Sequence, residues 1–280
     1  MSSSFPKPSG PARIMVWSTP RSVSTAFARS MSARGDTEVF WEPYLSCHYF
    51  GPDRTKNVKF GKLAIDDLAD DRYTHSYISG LLNAEYPGAN VLFVKGMVEG
   101  IRDDFAVVEQ GFKHSILIRH PQKSFRSMYR MANSVSPDHD VEAFIGRHAS
   151  IYDDLERFYR YVETELDQGP PPIIDADDLV NQPEKLLPKY CEAMGIEYTP
   201  KMLEWESVDT DQLNWHCTDV GVMAHSKLKN GVILSNAMKG QGFGKAPDVT
   251  KEMELSPVFK EIIANSVPAY EKLYALRIQP

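Results

Sequence analysis

Short, unbroken apolar runs alternate along this chain with longer stretches in which apolar residues return every three or four positions. The runs at 13–18 (RIMVWS), 37–41 (TEVFW), 90–95 (NVLFVK), 115–118 (SILI) and 173–174 have the length and saturation of strands buried on both faces. Helical spacing at 25–31, 73–86, 98–110, 141–166, 183–194 and 257–274 predicts helices among and after them. The stretch 141–166 should be the longest, with Phe144, Ile145, Ile151, Tyr152, Leu155, Phe158, Tyr159 and Val162 on one stripe. Pro43, Gly51-Pro52 and Gly61 mark 42–62 as loop-rich. The stretch 209–249 reads as irregular and Gly-rich in its second half, which suits a functional loop or lid. Strands alternating with helices predict an α/β fold of three layers, a central parallel sheet flanked by helices.

Length and composition narrow the picture. The 280 residues suffice for one large α/β domain, and neither an internal repeat nor a linker divides them. The expected organisation is a disordered leader over 1–12, rich in Ser, Pro and Gly and without the apolar core of a signal peptide, followed by a single domain over 13–280. Hydrophobic residues at 42% and charged residues at 25% point to a globular chain rather than a disordered or fibrous one. A net charge of −7 argues against a general nucleic-acid binder. It leaves room for a small anion, which a few local cations and backbone amides can hold. Cys47, Cys191 and Cys217 are too few and too scattered for a disulfide framework or a metal spacing, and they fit a reducing compartment. No apolar stretch approaches the roughly 18–20 residues that cross a bilayer. The expectation is a soluble, cytoplasmic protein with no membrane or nucleic-acid partner.

Chemistry concentrates where strands end. Ser18-Thr19-Pro20-Arg21-Ser22-Val23-Ser24-Thr25-Ala26-Phe27 follows the first strand and opens a helix. Backbone amides at such a junction, the helix dipole, the Arg21 charge and the hydroxyls of Ser22, Ser24 and Thr25 form a phosphate cradle. The plainer alternative is a capped helix with Arg21 in solvent. The nucleotide-triphosphatase pattern Gly-x-x-x-x-Gly-Lys-[Ser/Thr] is absent from the sequence. Further on, Arg119 leaves the strand at 116–118, Pro121 pre-shapes a helix, and Ser127 follows Arg119 by eight residues. Alone, Arg119 would read as a surface ion pair. The acidic run Asp66-Asp67-Leu68-Ala69-Asp70-Asp71 reads as a solvated face, and no metal site is expected.

Pro20 to Thr25 resembles the 5′-phosphosulfate loop of sulfotransferases, Pro-[Lys/Arg]-Ser-Gly-[Ser/Thr]-Thr, at every place but Val23, where the family has glycine. Arg119-His120-Pro121 with Ser127 resembles that family's 3′-phosphate motif, His120 standing for the usual Asn or Asp. Asp177-Asp178-Leu179-Val180, Pro183-Glu184, Tyr190 and Met194-Gly195-Ile196 are similar to a segment that packs the late strand and helix of the family. Lys239-Gly240-Gln241-Gly242-Phe243-Gly244-Lys245 loosely resembles its late Arg-Lys-Gly loop, the alternative being a Gly/Lys-rich surface loop.

The resemblance implies a P-loop NTPase-like fold and a reaction in which 3′-phosphoadenosine 5′-phosphosulfate (PAPS) gives its sulfuryl group to a small hydroxyl or amine acceptor, leaving adenosine 3′,5′-bisphosphate (PAP). It places Arg21, Ser22, Val23, Ser24, Thr25, Arg119, Ser127, Lys239 and Gly240 around the nucleotide. Sulfuryl transfer needs a base for the acceptor and positive charge for the leaving phosphate. Arg21 suits the second task, and Glu42 in Phe40-Trp41-Glu42-Pro43-Tyr44 the first, since some relatives use a Glu at this place. Lys95 would neutralise the sulfuryl group or hold an acidic acceptor. His48 is the leading rival base, ahead of His120, His216 and His225. The pattern is nearest to a divergent sulfotransferase-like branch, some of whose members carry aminotransferase labels. Two alternatives stay open: the same fold with its activity lost or exchanged, and a P-loop phosphotransferase.

Overall fold

A computed structural model describes residues 10–60, 63–135, 141–209, 215–217, 235–244 and 255–280. Strands β1 (Ala12–Ser18), β2 (Thr37–Trp41), β5 (Val91–Met97), β6 (Lys113–Ile118) and β7 (Ile173–Asp175) form one sheet in the order β2-β5-β1-β6-β7, and every pairing in it is parallel. A two-residue hairpin, β3 (Lys59–Phe60) with β4 (Leu63–Ala64), stands apart. Because all five strands run the same way, Ser18, Trp41, Met97 and Ile118 end on one edge, the edge at which open α/β folds bind ligands.

Alternation along each strand sends side chains into two cores. Ile14, Val16, Val39, Trp41, Phe93, Leu117 and Ile174 pack with helices α1 (Ser24–Ser32) and α8 (Pro183–Met194). Met15, Trp17, Phe40, Leu92, Val94, Ile116 and Ile118 pack on the other side with α6 (Ile151–Thr164) and the C-terminal helix (Pro257–Ala275). The three-layer sandwich is therefore as the pattern predicted. Gly96, the register partner of Trp17 within the sheet, makes room for its ring, since a Cβ there would stand 2.8 Å from it. Both sheet edges are covered: His216 bridges to Phe40 beside β2, and the Ile278 amide donates to the Ile173 carbonyl beside β7. None of the described helices is long and apolar enough to cross a membrane.

Four expectations need correction. The loop expected over 42–62 contains helix α2 (Pro43–Phe50), because Pro43 stands at the first helical position, where its fixed φ starts a helix instead of ending one. The helix expected over 98–110 is two 3₁₀ turns, Val98–Ile101 and Phe105–Val107. Asp104 Oδ1 accepts from the Ala106 amide and begins a new turn, and Gly100 sits so close to α2 that a Cβ would meet the Leu45 amide nitrogen at 2.7 Å.

The long helix expected over 141–166 breaks into α5 (Val141–Gly146) and α6, leaving the C-terminal helix the longest described. His148 turns the chain at the break: its Nδ1 faces the Phe144 carbonyl at 3.0 Å and its Nε2 faces Glu99 at 3.2 Å. The helix expected over 73–86 is the shorter α3 (His75–Leu82), capped by Thr74, whose Oγ1 accepts from the Tyr77 amide. Of the leader expected over 1–12, residues 1–9 lie outside the described set, and β1 already begins at Ala12. Much of 209–249 also lies outside it.

Candidate active site at the C-terminal edge of the sheet

Three strand-to-helix junctions build the site. In the first, Thr19-Pro20-Arg21-Ser22-Val23 joins β1 to α1. Arg21 and Val23 have φ of 61° and 58°, and Val23 caps α1 without a side-chain hydrogen bond. A left-handed L-residue costs about 1–2 kcal/mol, and a β-branched one is an outlier. The backbone shape that glycine would give is thus kept by valine under strain. The helical bond from the Phe27 amide to the Val23 carbonyl is 3.0 Å, so the amides of Ser24, Thr25 and Ala26 precede the helical ladder and are offered to an anion.

The second junction runs from β6 to α4 (Pro121–Val135). Arg119, 5% exposed, donates from Nη1 to the Arg21 carbonyl at 2.8 Å. Its Nε is buried without a hydrogen bond, with the Asp177 carboxylate 3.9 Å away. Arg21 in turn donates from Nε to Ser127 Oγ at 3.2 Å. The two arginines predicted to share one ligand are brought into contact, the Arg119 guanidinium on the Arg21 backbone and the Arg21 guanidinium on Ser127. Burial, and then the neighbouring Arg119 charge, draw Arg21 below the usual arginine range. Burial lowers Arg119 likewise, against the pull of Asp177.

The third junction, from β2 to α2, turns at Glu42, again left-handed with φ 52°. Trp41 and Lys95 are register partners in the sheet, and the Glu42 amide donates to the Lys95 carbonyl at 2.7 Å. The Lys95 ammonium meets Glu42 Oε1 in an ion pair and lies 5.6 Å from the Trp41 ring centre. Lys95 is 3% exposed, and burial, with the Arg21 charge adding to it, pushes its ammonium down to about 7. The dependence of Lys95 on Arg21 joins this pair electrostatically to the phosphate cradle.

Other predicted residues fall elsewhere. Ser22 Oγ donates inward to the Thr19 carbonyl at 2.7 Å. His48, on α2, borders a cleft of about 140 Å³ with Cys47, Asp53, Tyr73 and His75, and its described ring contact is with Tyr49; burial lowers its pKa. It is not brought to Glu42. His120 Nδ1 accepts from the Gln122 amide, and its ring packs on Tyr270. His216 pairs with Glu38 at 3.1 Å, while His225 lies outside the described residues.

Lys239 ends the short helix Ser235–Lys239, which docks on the flank of α1 where Arg29 reaches Met238 Sδ. Gly240 follows it, Gly242 bridges to Glu204, and Lys245 lies outside the described set. No described contact carries this segment to Arg119. Asp66 accepts from Arg54 Nε and the Asn57 amide, and the described residues hold no cluster that could bind a metal.

Sequence reasoning missed two residues. Ser124, one turn ahead of Ser127, donates to the Pro20 carbonyl at 2.6 Å. Asp177, read as packing, accepts from Lys123 at 2.7 Å beside Arg119. The helical offset of 124 from 127 was the one available signal for the first. A concavity lined by Arg13, Leu82 and Tyr86 lies at the opposite end of β1 and plays no part here.

The β1–α1 loop thus interlocks with an arginine and two serines of the β6–α4 unit at the ligand-binding edge of a parallel α/β sheet. The family model for the sulfotransferase domain matches residues 12–260, and the chain belongs to that family. It is 30% identical over 194 residues to branched-chain-amino-acid aminotransferase-like protein 2 of Arabidopsis thaliana, matching 69% of this chain and 32% of that protein. The chain thus spans about a third of the length of that curated relative.

Among solved structures, a sulfotransferase from Alicyclobacillus acidocaldarius shares the fold at a TM-score of 0.55 and 12% identity, over 96% of this chain and 97% of that one. The sulfotransferase domain of the Synechococcus PCC 7002 olefin synthase does so at 0.53 and 14%, over 98% of both.

Proposed function

We propose that this sulfotransferase uses PAPS as donor and a small hydroxyl or amine compound as acceptor. The observation that carries the reading is the contact between the two cationic junctions, Arg119 Nη1 on the Arg21 carbonyl and Arg21 Nε on Ser127. One ligand with phosphates on the 3′ and 5′ carbons of its ribose matches buried guanidiniums from two interlocked junctions, the unbonded Arg119 Nε and the first amides of α1. Arg21, the Ser22–Thr25 segment, Arg119 and Ser127 would hold it. Lys239 and Gly240 would join them only by a movement of their segment.

When bound, the donor supplies a sulfuryl group on a phosphate leaving group. Arg21 holds a full positive charge where negative charge develops, in a buried setting that strengthens it. Glu42 offers a carboxylate to take the acceptor's proton. Lys95 holds Glu42 in place through their ion pair and presents a second positive charge to the transferred group. His48 sits apart and has no role in this scheme.

The test is a thermal-shift titration with PAP set against ATP with magnesium. A ligand that binds the native state alone raises the melting temperature by an amount that grows with the logarithm of its concentration over its dissociation constant. PAP should stabilise the protein and ATP–magnesium should do so far less. Stabilisation by ATP–magnesium alone would point to phosphoryl transfer instead.

A further inference from the structure

Three consecutive carbonyls of the β1–α1 loop are each taken by a side-chain donor. Ser22 Oγ donates to Thr19 at 2.7 Å, Ser124 Oγ to Pro20 at 2.6 Å and Arg119 Nη1 to Arg21 at 2.8 Å. Two of the three donors come from the β6–α4 junction, and Ser124 is 1% exposed. All peptide bonds described are trans, so a carbonyl and the amide that follows it point in opposite directions. Fixing the Pro20 and Arg21 carbonyls against β6–α4 therefore turns the Arg21 and Ser22 amides the other way. Alternating left-handed positions at 21 and 23 then gather successive amides into one concavity, the geometry of an anion nest.

A loop with glycine at 23 reaches that shape freely; a loop with valine must be held in it. We infer that Ser124 is a positioning residue for the phosphate cradle, one that keeps the valine-bearing loop preformed by binding the Pro20 carbonyl. Ser124 donates its hydroxyl hydrogen bond to the Pro20 carbonyl, not to an anion. It acts through the Arg21 amide, and its removal leaves a buried carbonyl without a partner. This inference rests on the nucleotide reading given above.

Calorimetric titration of PAP into the full-length wild type, Ser124→Ala and Ser124→Thr tests it. Loss of the bond should weaken PAP binding by about tenfold in Ser124→Ala, and the hydroxyl of Ser124→Thr should restore most of it. A side chain that only supports the fold would lower the melting temperature and leave the dissociation constant of the folded protein where it was. Equal affinity of Ser124→Ala and wild type overturns the inference, whatever happens to stability. If wild type ignores PAP but binds inorganic pyrophosphate, the nucleotide reading fails by itself, and the same comparison with pyrophosphate decides the role of Ser124. Binding of neither ligand removes the cradle and the inference together.

Discussion

The β1–α1 and β2–α2 junctions use the same turn for opposite purposes. Each leaves its strand, places a non-glycine residue in the left-handed region at the helix cap, and does so without a side-chain cap. At Val23 the turn gathers amides around cations, and neighbouring donors hold its carbonyls. At Glu42 the turn delivers a carboxylate, and one strand residue, Lys95, holds it by backbone and side chain. Under the proposed function the first junction binds negative charge and the second offers it. Binding and proton transfer should then separate when each is damaged in turn.

The sharpest separation is Glu42→Gln, which keeps the side chain's shape and removes its basicity. Turnover should fall about 10²–10⁴-fold, while calorimetry gives an unchanged dissociation constant for PAP. An unchanged rate would take Glu42 out of the chemistry. Arg21→Ala should do the reverse, weakening PAP binding by roughly 10–100-fold, as befits hydrogen bonds from a charged group. Equal binding would leave the loop without a cationic role.

Lys95 links the two junctions, so pH should expose it. Its folded pKa, near 7, lies below the ordinary lysine value of 10.5, so the native state loses this proton while the unfolded chain keeps it. Between about pH 7 and 10 the Lys95 contribution to stability therefore rises with pH, and Lys95→Met should flatten that slope in denaturant titrations. Activity should move the opposite way, because the ammonium is the useful form. The ratio kcat/KM should fall about tenfold per pH unit above 7, and Lys95→Arg, charged throughout, should level it. A wild-type profile level from pH 6 to 9 would count against a working Lys95.

The smallest effect belongs to Ser127→Ala, a loss of about tenfold in PAP affinity from one hydroxyl bonded to the charged Arg21 Nε.

The sheet was legible because strands buried on both faces are saturated with apolar residues, as 91–94 and 116–118 show. That Arg21, Arg119 and Ser127 come together was legible because a strand-end loop, a strand-end cation and a helical offset leave spaced marks in the sequence. Helix α2 was not, since the same proline that ends a strand begins a helix. The break at His148 was hidden because its cause, the buried Glu99, lies 49 residues earlier in the chain. Ser124 was hidden for a related reason: its partner is a backbone carbonyl, which any residue carries. The valine at 23 kept a left-handed turn that residue type alone would have denied it.

If one nucleotide meets both guanidiniums, the preference for its 3′-phosphate measures that directly. Calorimetry should find PAP binding far more tightly than adenosine 5′-monophosphate to wild type, with the ratio kept in Arg21→Ala and falling close to one in Arg119→Ala. A wild-type ratio near one, or a preference that survives loss of Arg119, would contradict it.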